Sequence, residues 1–280
     1  MTAMHQAGAQ ANWLPDGRLH LHHGPIDIIL QGWGDPRALQ AGYAAAVARF
    51  ETILTELVAE LPALRAEAAP LSGPVAQAMA AAVAPFRPAF ITPMAAVAGA
   101  VADTVLQAFL RPGITRAYAN NGGDIALHLD PGESLTCAVA GSPARLTLRA
   151  EDPVRGIATS GWRGRSWSFG IADAVTVLAR TAAMADAAAT MVANAVDLPG
   201  HPAIRRRPAE ELQADSDLGR RKVTVDVGPL TGAEVARALA RGEAAAMAFR
   251  ARGLIDSAAL FLHPDLRVLG PLRLKEDAFA

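Results

Sequence analysis

The sequence predicts an α+β protein in which antiparallel sheets pack against helices. Two patterns indicate this class: short runs that alternate apolar and polar residues between glycine and proline turns, and alanine-rich runs with apolar residues three or four apart. Pairs of predicted strands flank predicted helices twice. We therefore predict one domain over all 280 residues, built from two similar structural halves at about residues 13–150 and 151–280.

The first half is predicted to open with a hairpin and a long helix. Residues 18–30 alternate around a Gly-Pro pair, which is typical of two short strands joined by a tight turn. Residues 36–65 begin with proline and repeat apolar side chains at helical spacing. A second helical run follows Gly73. A third spans residues 92–110, where many small side chains would let other backbone approach closely.

The remaining elements follow from the same patterns. Strands are predicted at residues 117–129, 136–140, 145–150, 174–178 and 222–227, helices at 182–196 and 232–252, and a closing hairpin through Phe261 and Val268. The first three strand segments resemble an antiparallel meander. Residues 197–221 are predicted to be an irregular, solvated loop, with a lid as the alternative. The alanine-rich helices are expected to pack against each other or against a second subunit, and we expect a homodimer.

Composition excludes several classes of partner. The formal net charge is −1, so no overall positive charge is present to attract nucleic acid or an anionic membrane surface. The apolar stretch at residues 94–110 is short for a bilayer span and carries Asp103, which favours a buried helix. Residues 1–12 lack the pattern of a secretory signal. We expect a cytoplasmic protein that binds neither nucleic acid nor membrane.

A glycine-rich polar segment follows the first strand of the predicted meander. Its candidate ligand-binding residues are Asn121, Gly122, Gly123 and Asp124. Two successive glycines can adopt positive φ angles and bring N–H groups round an anion. Asn-Gly is also the commonest signal for a hairpin turn, and the two interpretations are compatible.

A second polar segment follows another predicted strand, which ends near Ile157. Its candidate residues are Ala158, Thr159, Ser160, Gly161 and Arg165. Hydroxyl groups, free backbone and nearby arginine suit a phosphate or pyrophosphate group. The alternative is an ordinary solvated loop.

Asp186 and Thr190 are four residues apart in a helical run, so their side chains share one helix face. Magnesium is held by oxygen ligands and commonly needs only one or two carboxylates together with substrate phosphates. The alternative interpretation is an exposed acid beside a threonine that is hydrogen-bonded to its own helix. Spacing alone does not separate these two interpretations.

Four motifs follow one another along the chain: Asn-Gly-Gly-Asp-Ile, Ile-Ala-Thr-Ser-Gly, Ala-Asp-Ala-Val-Thr-Val and Ala-Asp-Ala-Ala-Ala-Thr. Taken in this order, they resemble the ApbE-like family, whose best-known members are FAD:protein FMN transferases. The similarity covers roughly residues 92–196, and residues 93–100 and 168–170 look most like an uncharacterised prokaryotic branch once labelled thiamine-biosynthesis related.

The resemblance implies a duplicated T-fold architecture and a magnesium site formed by Asp186 and Thr190. A backbone carbonyl near Val97 would complete that site, and Asp103 is an acidic position on the same helix as Val97. It also implies that residues 158–161 line the site of FAD or a related nucleotide. The activity it implies is magnesium-dependent transfer.

The chain departs from the family at two functional positions. The family's histidine-containing segment corresponds to residues 164–170, which contain no histidine, and its Ala-Lys-Gly lysine corresponds to Ala98. Loss of a general acid or base typically costs about 10²- to 10⁴-fold in rate. These departures argue against transfer of FMN to protein.

Three hypotheses follow. The first is an ApbE-like protein of cofactor metabolism, enzyme or former enzyme, that takes a phosphorylated, flavin-type ligand with magnesium. The second, by analogy of fold, is an enzyme in the biosynthesis of a pterin- or furan-type one-carbon carrier. The third is a non-catalytic binding or scaffold protein.

Overall fold

The computed structural model of the protein describes residues 8–138, 144–271 and 274–276. Its strands, in chain order, are β1 (Gln10–Trp13), β2 (Leu19–His23), β3 (Ile26–Gly34), β4 (Ile114–Asn121), β5 (Asp124–Leu129), β6 (Ser134–Ala138), β7 (Ala144–Arg149), β8 (Gly156–Ser160), β9 (Ala174–Ala179), β10 (Ile204–Pro208), β11 (Lys222–Val227), β12 (Ser257–Leu262), β13 (Asp265–Leu269) and β14 (Leu274–Glu276). Within these residues, a large sheet has the order β1-β2-β3-β4-β5-β8-β9-β12-β13, and its paired strands are antiparallel.

Four of the seven helices in the described residues, the first, fourth, fifth and seventh in chain order, pack on strands of the large sheet. The helices are α1 (Pro36–Ala59), α2 (Leu61–Leu64), α3 (Pro74–Val83), α4 (Val97–Phe109), α5 (Ala182–Ala195), α6 (Ala209–Leu212) and α7 (Gly232–Ala251), with 3₁₀ turns at Ala84–Phe86 and Pro93–Ala96. The alanine-rich α4 and α5 pack against each other, while α1 lies beside α4 and α7 beside α5. Antiparallel sheets with packed helices confirm the predicted fold class.

The long helices begin where their sequences provide caps. Asp35 precedes α1, and its Oδ1 accepts hydrogen bonds from the N–H groups of Arg37 and Ala38 at 2.9 and 3.0 Å. Thr231 and Glu234 form a reciprocal capping box at the start of α7. The first predicted helix ends at Ala59 rather than near residue 65, because a separate short helix with proline in its first turn follows.

Close backbone contact defines the packing of α4 on α5. A Cβ atom at Gly99 would collide with the carbonyl oxygen of Ala182. The prediction that small residues in this segment admit other backbone is thus confirmed, and the partner is α5 of the same chain. Within the described residues, none of the helices combines the length and hydrophobicity needed to cross a bilayer.

The predicted meander is wrong beyond its first hairpin. β4 and β5 are neighbours in the large sheet, whereas β6 and β7 pair with each other and with β14 in a separate small sheet. Alternation indicates a strand but does not specify its partner, so the local pattern could not distinguish these arrangements. A second apolar cluster, which includes Leu127, Leu146 and Ile157, joins residues of the two sheets. The last two residues of the strand predicted at 136–140 lie outside the described residues.

Two boundaries near the polar segments also differ from prediction. β8 continues through Ser160, so Thr159 and Ser160 belong to a strand rather than to the loop after it. The stretch at residues 197–221 is not irregular throughout, because β10 pairs with β11 in a two-stranded ribbon and α6 follows β10.

Candidate ligand-binding site

A cavity of about 340 Å³ lies between the N-terminal end of α4, one face of α5 and the ends of β4, β5 and β8. Most of the residues singled out from the sequence line it. They are Asn121, Gly122, Asp124, Thr159, Ser160, Gly161, Arg165, Asp186 and Thr190. Gly123 is exposed at the turn and Ala158 is fully buried in the main core, so these two fall outside the lining.

The turn between β4 and β5 brings Asp124 to the cavity. Gly122 and Gly123 have φ angles of 64° and 114°, as a tight hairpin turn with two left-handed residues requires. Asn121 pairs with Asp124 across this turn. The Asn121 side chain is buried, and its Nδ2 donates to the carbonyl oxygen of Ala98 at 3.1 Å, which ties the turn to α4.

Asp124 and Asp186 approach each other at the base of the cavity. Asp124 Oδ1 accepts a hydrogen bond from the Thr159 N–H at 3.1 Å, and Asp186 Oδ2 accepts one from the Gly99 N–H at 3.0 Å. Burial raises the pKa of Asp124 to about 7, against the Thr159 bond and the charge of Arg165. Burial, followed by the charge of Asp124, raises the pKa of Asp186 well above its usual value. Two carboxyl groups enclosed together disfavour double ionisation.

The donor atoms at this point suit a hard divalent cation. Asp124, Asp186 and Thr190 all line the cavity with oxygen-bearing side chains, and Thr190 lies one helical turn beyond Asp186. A cation would relieve the repulsion between the two carboxylates. Among the described residues there is no cluster of three or more histidine, cysteine or acidic side chains with metal-binding geometry. Two carboxylates and a hydroxyl group are a donor set that fits magnesium, because this ion keeps water or ligand oxygens in its remaining positions.

Arg165 provides positive charge on the same side of the cavity. Its guanidinium lies over Gly122, where a Cβ atom would collide with it. The charge of Arg165 opposes the rise in the pKa of Asp124 that burial causes. Glycine at position 122 thus allows both the positive φ angle of the turn and the close approach of the Arg165 guanidinium. An exposed guanidinium at a cavity wall can bind phosphate or carboxylate oxygens.

Aromatic side chains form another part of the lining. Phe90 and Phe169 have ring centroids 6.1 Å apart, and Trp167 lies in the same lining. Asn194 Oδ1 accepts hydrogen bonds from Ser168 Oγ at 3.0 Å and from the Phe169 N–H at 2.9 Å. This arrangement fixes the backbone that carries Phe169. The cavity can therefore receive a flat apolar group as well as an anion.

Asp103 lies on α4, as the resemblance implied, but outside this cavity. Its two carboxylate oxygens accept hydrogen bonds from the N–H groups of Ala182 and Ala183 at 3.0 and 2.9 Å. It is absent from the lining of the cavity and instead caps the first turn of α5 from the neighbouring helix. Burial raises its pKa to about 6, although the two hydrogen bonds oppose this shift.

Sequence reasoning missed several lining residues. Asn194 had a visible signal, because Asp186, Thr190 and Asn194 repeat at four-residue spacing on one face of an alanine-rich helix. Arg65, Phe90 and Thr92, together with residues 213 and 215–218, had none, because they lie far from the polar segments in sequence and reach the cavity only through the fold.

Comparisons with known proteins agree with the resemblance seen in the motifs. The family model described as "AbpE bacteria" matches residues 11–272. A UPF0280 protein of Methanothrix thermoacetophila is 41% identical over 110 residues, which are 38% of this chain and 46% of that protein. A UPF0280 protein of Archaeoglobus fulgidus is 36% identical over 128 residues, which are 46% of this chain and 54% of that protein. The chain thus spans about half the length of these curated relatives.

Among solved structures, the chain is similar to the apo form of the flavinyl transferase ApbE from Pseudomonas stutzeri. The TM-score is 0.46 at 13% sequence identity, and the match covers 96% of each chain.

Proposed function

Since this chain belongs to the AbpE bacteria family, we propose that it binds a phosphorylated, nucleotide-like ligand of flavin type together with magnesium and acts in cofactor metabolism. The observation that carries the proposal is the meeting of Asp124, Asp186 and Arg165 in one cavity. They come from three separate segments of the chain. Paired carboxylates beside an arginine suit a ligand that brings phosphate oxygens and a cation together.

Each part of the lining has a role in this proposal. Asp186, Asp124 and Thr190 would hold magnesium, which when bound neutralises phosphate charge and polarises phosphoryl oxygens. Arg165 would bind the phosphate, and the Ser160 hydroxyl lies in the same lining as a further donor. Phe90 and Phe169 would contact a flat ring. The cavity volume of about 340 Å³ falls in the range of small-molecule sites.

The residues of the lining also bear on whether the protein catalyses a reaction. No histidine or lysine occurs among its described residues, in agreement with the departures seen in the motifs. Proton transfer by such a group typically contributes about 10²- to 10⁴-fold. We therefore propose ligand binding, with any turnover slow compared with that of the flavin transferases of the family.

Calorimetric titration of the purified protein with FAD and ADP, each with and without magnesium, tests the proposal. We expect magnesium to strengthen binding, and Asp186→Asn, which is similar in shape, to remove that strengthening. Asp226→Asn is the control, because Asp226 lies outside the cavity in an exposed ion pair with Arg205. The absence of binding by any phosphorylated ligand would favour the scaffold hypothesis. Conversion of FAD to FMN and AMP would show that transferase chemistry survives.

A further inference from the structure

The loop between α6 and β11 closes one side of the cavity, and an arginine outside the predicted site holds it there. Of its residues, Asp215, Ser216, Asp217 and Leu218 line the cavity, as do Arg65 and Thr92. Arg65 Nη2 lies 2.7 Å from Asp215 Oδ2, and Thr92 Oγ1 lies 2.5 Å from Asp217 Oδ2. The loop is therefore fixed to the cavity wall by its acidic side chains.

Arg65 is a cation of the cavity lining that already has a carboxylate partner. Its side chain is 28% exposed, whereas the Asp215 side chain is 64% exposed. The Arg65 side chain is thus largely enclosed by protein, whereas the Asp215 carboxylate is largely in contact with solvent. Exposed ion pairs contribute little net stability, because solvent competes for the acid and the loop loses freedom when the pair forms.

The loop's other contacts are mostly hydrogen bonds within it and to α6, and they include one from Gln213 Nε2 to Asp215 Oδ1 at 3.2 Å. Residues 213–218 contribute no side chain to the buried apolar clusters, and residues 213–215 are exposed. Arg221, at the end of the loop, adds a contact to other segments, because it lies 3.3 Å from Glu67 and stacks on the ring of Phe90. Both partners of the Arg65–Asp215 ion pair line the cavity and Asp215 is exposed, so this contact can be exchanged for one with a ligand.

We propose that Arg65 is a second anion-binding residue of this site and that the Asp215 carboxylate occupies it until a phosphate of the ligand replaces it. The inference rests on the proposed function, since it assigns a further phosphate contact in the same cavity. Phosphate is the favoured competitor, because a planar guanidinium binds it through two parallel hydrogen bonds and its charge exceeds that of a carboxylate. Arg165 and Arg65 then give the cavity two guanidinium groups in its lining.

Affinity for ADP and for pyrophosphate, measured by calorimetry with magnesium, tests the proposal. Asp215→Asn removes the internal competitor, and we expect it to bind ADP about two- to fivefold more tightly than the wild type. Arg65→Gln should weaken binding about tenfold. In the double variant the gain from Asp215→Asn should vanish, because the asparagine acts only through the arginine. Adenosine, which has no phosphate, should show none of these effects.

Asp226→Asn provides the matched control, because it removes a carboxylate from an exposed arginine pair on the neighbouring ribbon that does not line the cavity. It should bind ADP as the wild type does. Arg65→Lys keeps the charge without the paired hydrogen bonds and should fall between wild type and Arg65→Gln. If Arg65→Gln folds poorly, the affinity of Arg65→Lys still tests whether Arg65 contacts the phosphate.

The outcomes separate this inference from the proposed function. Equal affinities in Asp215→Asn and Asp226→Asn would overturn the inference and leave the proposed function standing. Failure of both the wild type and Asp215→Asn to bind either anion would overturn both. Tighter binding by Asp215→Asn with no effect of Asp186→Asn would support the anion contact and overturn the magnesium site.

Discussion

At the scale of single residues, Asp103 shows how one carboxylate can serve an adjacent helix. It lies on α4 yet accepts hydrogen bonds from the N–H groups of Ala182 and Ala183, the first two residues of α5. These residues precede Asp186 by four and three positions. Only the ionised form accepts both bonds fully, while burial favours the neutral form. The net result is a pKa of about 6, so the burial of the charge outweighs the two hydrogen bonds.

This balance predicts the pH dependence of stability. Because the folded-state pKa of Asp103 is raised from 3.8 to about 6, the folded state binds more protons than the unfolded state between those values. The contribution of Asp103 to the free energy of unfolding therefore falls as pH rises from about 4 to 7, by up to about 3 kcal/mol. Urea unfolding of the wild type and Asp103→Asn at several pH values measures this. A difference between the two proteins that stays constant over the range would contradict the prediction.

At the scale of elements, the contact between α4 and α5 sets the position of Asp186. The Gly99 N–H donates to Asp186, and the Gly99 Cα faces the Ala182 carbonyl at the start of the same helix. One residue of α4 thus fixes both the distance between the helices and the orientation of the carboxylate. Alanine-rich sequence on both sides makes this close approach possible.

Gly99→Ala should therefore affect stability and ligand binding together. The added methyl group collides with the Ala182 carbonyl, so the helices must separate, at a cost of about 1 to 3 kcal/mol in the free energy of unfolding. Magnesium-dependent binding of ADP should weaken as well. Gly232→Ala, in the first turn of α7, is the control, because nothing lies within 4 Å of its added carbon. Equal unfolding midpoints for the two variants would contradict the packing argument.

The same elements show how far sequence reasoning could go. Helical spacing placed Asp186 and Thr190 on one face, and glycine pairs marked the turn before Asp124, because both signals are local. The pairing of β6 with β7 in a separate sheet, and the approach of Arg65 to the cavity, depend on contacts between distant segments. Alternation and spacing carry no information about such partners. The predicted halves at about residues 13–150 and 151–280 stay a prediction.

At the scale of the whole molecule, the cavity lies where two parts of the large sheet meet, β1 to β5 on one side and β8, β9, β12 and β13 on the other. Strands β5 and β8 join through only two register pairs, Ile125 with Ile157 and Ala126 with Gly156. The Asp124 bond to the Thr159 N–H strengthens this junction from the cavity side. The alanine-rich faces of α4 and α5, one reason to expect a second subunit, are occupied by each other. The homodimer therefore stays a prediction that sedimentation can test.

A site at this junction should make ligand binding visible in the stability of the junction itself. At a concentration one hundred times its dissociation constant, a ligand that binds only the folded state adds about 2.7 kcal/mol to the free energy of unfolding. We expect ADP with magnesium to raise the melting temperature and to slow amide exchange most in β8 and the first half of α5, measured by mass spectrometry. The β1–β2 hairpin, at the far edge of the sheet, is the internal reference. Protection that is equal in that hairpin and in β8 would place the bound ligand elsewhere, because contacts in this cavity stabilise the junction before they stabilise a distant edge.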